Sequence, residues 1–135
     1  MPAPDELRSL SRQRKLAHKQ LLDLGSRAYA AFLDLERATY ADGALPRQAK
    51  ELIAVGISVV LDCHSCMQWH IGQARAAGAS LRQVLEAVEV GMEMGGGPAT
   101  VSARFARTAM AEACGPAALA AESRPVSGKT GGRPA

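Results

Sequence analysis

Leu7, Leu10, Leu16 and Leu21 recur in a segment otherwise rich in Arg, Lys, Gln and Ser, and this spacing predicts a first amphipathic helix over about 5–23. Gly25 interrupts the pattern and Ser26 can cap the next helix. Tyr29, Phe32, Leu33 and Tyr40 mark that second helix. Asp42-Gly43 reads as a turn, and Pro46 suits the first position of a third helix. The ten residues LIAVGISVVL (52–61) are locally ambiguous, because their β-branched content would suit a buried strand. No other segment offers that strand a partner, so a helix buried on most sides is expected.

Asp62 can cap the next helix, from about Cys63 to Ala77, with Gly78 as its stop. Ser80 and Gln83 have the spacing of a capping box, and Leu81, Val84, Leu85 and Val88 form the apolar stripe behind it. Gly95-Gly96-Gly97 ends that helix and Pro98 opens the last, which runs to about Cys114 before Gly115-Pro116. No strand precedes the glycine triplet and no Lys-Ser or Lys-Thr follows it, so it is a helix break and not a phosphate loop. The expectation is an all-α fold of about six helices: N-terminal helices over 1–44, a core over 45–115, and a disordered Pro/Gly/Ala/Ser-rich tail over 116–135.

Composition supports helices, since apolar residues reach 47% while aromatics are only 4%, with alanine dominant. No apolar run reaches the ~18 residues of a membrane span, and the N-terminal stretch has charge but no apolar core of a secretory signal. The protein is therefore expected in the cytoplasm and without a membrane partner. The formal charge of +3 resides in the ends: residues 1–20 carry +3 and 116–135 carry +2, which leaves −2 on the body. No aromatic or base-reading residues accompany the basic N-terminal helix, so its charge reads as a solvated face and no nucleic-acid partner is expected.

The chemistry concentrates in DCHSCMQWH (62–70). On a helix, Cys63, Cys66 and His70 stand at i, i+3 and i+7, all on one face. Both cysteines fall in the first turn, where unpaired N–H groups and the helix dipole stabilise a thiolate. Cysteines so placed can have pKa values of about 3.5–7.5, and two thiols at this spacing can close a disulfide within one helix end. Cys63 is nearer the terminus; Cys66 is one turn from His70. Geometry alone leaves open which of them attacks.

Glu51 is the fourth element. In an antiparallel hairpin centred on Asp62, Glu51 lies about 16 Å and His70 about 12 Å from the turn, level to within one turn. Direct contact or one bridging water is feasible, and the tilt of side chains toward each helix N-terminus favours the bridged form. A carboxylate in an apolar run costs several kcal/mol without a partner, and His70 is the partner available. Glu51 would then polarise His70, and His70 would take a proton from a cysteine.

The pattern E51-x11-C63-x2-C66-x3-H70, followed by GASLRQVLEAVEVGMEMGGGPATVSA, resembles the alkylhydroperoxidase D-like proteins of the carboxymuconolactone decarboxylase superfamily. The resemblance covers about 45–115. It implies an all-helical fold assembled as a homo-oligomer, a trimer or hexamer, and a thiol peroxidase that needs no cofactor. It also implies roles: Cys66 as peroxidatic thiolate, Cys63 as resolving thiol, Glu51 and His70 as proton relay. The substrate would be a hydroperoxide and the reductant an external dithiol, which in the family can be a lipoyl-bearing protein. One departure concerns the histidine that the best-known members carry immediately before the second cysteine. Ser65 stands there in this chain, and His64 is rotated by about 100° around the helix.

Two other readings use the same residues. Zinc could take Cys63, Cys66 and His70 with His64 or Glu51 as fourth ligand, although a structural site usually draws its second ligand pair from a separate segment. A redox-sensing or scaffold oligomer would use the disulfide without turnover. Met92 and Met94 could line a pocket for an apolar peroxide, but core filling is the commoner use of methionine. Trp69 could shield the site or pack between subunits, Cys114 reads as a buried small hydrophobe, and His18 reads as exposed.

Overall fold

In the computed structural model, which describes residues 4–126, the chain is all-α. Its helices are α1 (Pro4–Asp23), α2 (Arg27–Tyr40), α3 (Arg47–Val60), α4 (His64–Ala76), α5 (Leu81–Gly95), α6 (Gly97–Cys114) and α7 (Pro116–Glu122). Six of these follow the apolar pattern, and the predicted cap residues account for two of the starts. Ser26 accepts from the Tyr29 N–H, and Ser80 and Gln83 form the complete capping box. The seventh helix replaces the first part of the expected disordered tail. Pro116 sits in its first turn, where a missing N–H costs nothing, alanines follow, and Arg82 Nη2 donates to the Glu122 carbonyl at 2.8 Å. Residues 127–135 of that expected tail lie outside the described residues.

α3 is the central helix, packed against α4, α5 and α6. Its inner face buries Val55 and Val59 against Met67 and Ile71 of α4, Val84 and Val88 of α5, and Ala106 and Met110 of α6. The crossing with α5 is close because glycines meet there. A Cβ on Gly91 would lie 2.6 Å from the Gly56 carbonyl oxygen and 2.9 Å from Val59 Cβ. The expectation that 52–61 is buried on most sides is corrected: Ile53, Ile57 and Leu61 are 51%, 53% and 68% exposed. A helix in one layer of a small domain can cover only the faces its neighbours reach, and no described helix reaches this one.

The turn between α3 and α4 also differs from expectation. Asp62 does not cap α4; it ends α3. The Cys63 N–H bonds to the Ser58 carbonyl and the Asp62 N–H to the Val59 carbonyl, which is a Schellman ending with Asp62 in the left-handed region at φ 51°. Aspartate tolerates that conformation better than most side chains, and here its Oδ1 also accepts from Ser102 Oγ at 2.7 Å. Cys63 is then both the last residue of this ending and the N-cap of α4, its sulfur accepting from the Cys66 N–H at 3.2 Å. One residue serves two helix ends, so the hairpin is as short as it can be.

α1 and α2 flank this core, and α1 contributes one residue to it. Leu7 is fully buried, and Gln68 of α4 donates to its carbonyl at 3.2 Å and to Glu112 of α6 at 2.9 Å. His18 is partly covered and 2.9 Å from the Tyr29 hydroxyl, so it is not the simple surface residue expected.

Candidate functional site

The short turn sets α3 and α4 side by side with Glu51 and His70 facing. Glu51 Oε2 lies 2.7 Å from His70 Nδ1, the direct one of the two feasible forms, although the tilt argument favoured the bridged one. The long glutamate side chain has enough reach to close the axial offset that the helix arithmetic leaves. Glu51 is 2% exposed and His70 15%. With the carboxylate accepting, Nδ1–H of His70 donates, and in the neutral ring this tautomer makes Nε2 the acceptor nitrogen.

Cys63 and Cys66 are joined as a disulfide, with Cα atoms 5.2 Å apart, at the start of the helix that carries His70. The pair and its histidine therefore share one rigid element, while Glu51 is supplied by the neighbouring one. His64, the residue between the cysteines that departs from the resemblance, stacks flat on Phe105 of α6 with ring centres 4.0 Å apart. Its Nε2 is 3.4 Å from Asp62 Oδ1. Glu51 is thus engaged by His70, and His64 by α6 and Asp62. Among the described residues no group of three or more His, Cys, Asp or Glu side chains is arranged to hold a metal ion.

Three residues that the sequence did not single out complete the surroundings of Glu51. Tyr40, at the end of α2, places its ring 5.2 Å from the His70 ring. Burial, then the charges of Glu51 and Glu36, push its phenol above the ordinary 10.0, so it remains a neutral hydroxyl. Arg47 Nε is 3.6 Å from Glu51 Oε1, and its Nη2 donates to Gln73 Oε1 on α4. The i, i+4 spacing of Arg47 and Glu51 was a readable signal. Tyr40 had none, because α2 is distant in sequence from the motif.

A cavity of about 570 Å³ opens beside Glu51, lined by Tyr40, Arg47, Trp69, Gln73 and His18. Trp69 borders it with its Nε1 donating to Glu36 at 3.1 Å and the Arg14 guanidinium over its ring. The larger cavity, about 630 Å³ and mostly apolar, is elsewhere: it is the groove between the exposed faces of α3 and α5, and Met94 lines it. Met92 packs against the core instead, and so does the half-buried Cys114. No helix among the described residues is long and apolar enough to cross a membrane.

Residues 26–109 match the model of the carboxymuconolactone decarboxylase family. An uncharacterised protein of the cox locus of Paracoccus denitrificans is 40% identical over 82 residues, covering 61% of this chain and 74% of its own length. A second uncharacterised protein, from Cupriavidus necator, is 40% identical over 76 residues, or 56% of this chain and 67% of that one. Among solved structures, a carboxymuconolactone decarboxylase family protein from Legionella pneumophila superposes with a TM-score of 0.76 at 27% identity. It covers 81% of this chain and 97% of the other. A family protein from Thermotoga maritima, whose description raises a role in the antioxidative response, gives 0.67 at 27% identity over 76% and 86%.

Proposed function

The chain belongs to the carboxymuconolactone decarboxylase family, and we propose that it is a thiol peroxidase that reduces hydroperoxides through Cys66 and Cys63. The observation that carries this reading is the buried carboxylate of Glu51 held 2.7 Å from Nδ1 of His70, on the helix that Cys63 caps and whose first turn holds Cys66. An inert core would have no use for an ion so costly to bury.

In the proposed cycle, His70 Nε2 takes the Cys66 thiol proton, and the Glu51 carboxylate stabilises the imidazolium that forms. The Cys66 thiolate attacks the distal peroxide oxygen, the O–O bond breaks, and the departing alkoxide takes the proton from His70. Cys66 is now a sulfenic acid and the product an alcohol. Cys63 attacks the Cys66 sulfur, the disulfide forms, and water leaves. An external dithiol, such as that of a lipoyl-bearing protein, returns both thiols and becomes a disulfide itself, so electrons balance without a metal or flavin. A reducing compartment such as the cytoplasm would supply that donor.

Assembly belongs to the same proposal. The uncovered apolar strip of α3 and α5 suits a homo-oligomer, a trimer or hexamer. Peroxide-dependent oxidation of a dithiol, measured for chelator-treated wild type beside Cys66→Ser and Cys63→Ser, tests the cycle. Turnover is expected in the wild type only, with a sulfenic acid trapped by dimedone on Cys66 in Cys63→Ser. An inactive wild type with stoichiometrically bound metal would sink the reading.

A further inference from the structure

The carboxylate of Glu51 has two oxygens, and only Oε2 is on His70. Oε1 faces Arg47, whose Nε is 3.6 Å away: an ion pair, but too long for a good hydrogen bond. The guanidinium is itself held. Its Nη2 donates to Gln73, three residues beyond His70 on α4. At the other end the Arg47 backbone N–H donates to Asp42 Oδ1 at 2.6 Å, fixing the first turn of α3. The fork of one arginine therefore links the relay carboxylate to the helix that carries the relay histidine. It is the cation paired with Glu51 from α3 itself, while Tyr40 and Glu36 face the same cavity from α2, and Asp42 does so from the turn before α3.

We propose that Arg47, anchored by Gln73, is a positioning residue of the relay. It compensates the buried charge of Glu51 and holds Oε1, so that Oε2 stays on His70. A lysine could supply the charge but not the fork that reaches Glu51 and Gln73 together. This rests on the reading of Glu51 and His70 as a relay, and the test therefore uses a readout that does not require peroxide turnover.

The experiment follows alkylation of Cys66 by iodoacetamide at neutral pH in the reduced protein. Wild type, Arg47→Met, Arg47→Lys, Glu51→Gln and the double variant Arg47→Met/Glu51→Gln are compared, with helicity checked by circular dichroism. Arg47→Met is expected to slow alkylation about three- to tenfold and Arg47→Lys less. In the Glu51→Gln background, Arg47→Met is expected to add nothing. Should Arg47→Met fail to fold, Gln73→Leu frees the same guanidinium and is expected to slow alkylation in the same background-dependent way. A wild-type rate in Arg47→Met, or an equal slowing in both backgrounds, overturns the inference. If Glu51→Gln itself alkylates at the wild-type rate, the relay fails and the inference falls with it. Absent turnover in the wild type, beside an intact Arg47 effect, overturns only the peroxidase reading.

Discussion

Glu51 and His70 come from adjacent helices nineteen residues apart in sequence, and their side chains meet at 2.7 Å inside the fold. The contact joins a charge that is costly to bury to a ring whose other nitrogen has no hydrogen bond among the described residues. Replacing Glu51 with Gln keeps the shape and one acceptor but removes the charge that, in the proposed cycle, stabilises the imidazolium. The expected result is a fall in peroxidase kcat/KM of about 10²–10⁴ with the melting temperature nearly unchanged. Stopped-flow consumption of an alkyl hydroperoxide checks it, and a variant within twofold of wild type would remove Glu51 from the mechanism.

The α3–α5 crossing predicts an asymmetry between two glycines. Gly91→Ala would drive its Cβ to 2.6 Å from a backbone oxygen, whereas the Gly56→Ala methyl would meet the Ala87 oxygen at 3.1 Å. Overpacking costs about 1–3 kcal/mol, and the better helix propensity of alanine returns up to about 1. Gly91→Ala should therefore lower the urea midpoint at constant m-value, while Gly56→Ala stays near wild type. Equal midpoints for the two variants would mean that the helices separate freely.

Tyr40 makes stability depend on alkaline pH. Its phenol is raised above 10.0 in the fold by burial and by Glu51 and Glu36. Above the unfolded value the unfolded chain binds fewer protons than the folded one, so stability falls with rising pH. The contribution is fully present below about pH 10 and is lost as pH rises through the raised folded value. Tyr40→Phe keeps the ring and removes the titration. Urea melts between pH 9 and 11.5 are expected to show a shallower loss in this variant, and parallel curves would contradict the assignment.

Ile57 stands near the middle of the uncovered apolar strip and is 53% exposed. Ile57→Lys should dissociate the proposed assembly without unfolding the subunit. Sedimentation velocity reads this directly: a wild type that runs as a monomer at micromolar concentration would end the proposal of a homo-oligomer.

Much of this architecture was legible locally. Ser26, Ser80 and Gln83 act through neighbours three residues away, so their capping is written in adjacent letters. Helix arithmetic placed Glu51 level with His70, because both are referred to one turn. What escaped depends on the third dimension. Asp62 reads as a start signal in the sequence, whereas the hydrogen bonds of Ser58 and Val59 to the turn make it an end. Tyr40 reaches His70 only because α2 folds back over the hairpin. The exposed face of α3 reflects how many helices surround it, and no periodicity within 52–61 contains that number.

The placement of the disulfide has a consequence for signalling. One sulfur belongs to the cap of α4 and the other to its first turn, with two residues between them. A bond spanning so short a loop ties no separate parts of the chain together and removes little chain entropy. It has no lever arm. Its two ends are the residue that closes α3 and the first turn of α4, which the short turn already holds together. A messenger would need its two halves on parts that move apart; the proposed cycle, which must be reset after every use, needs no such parts.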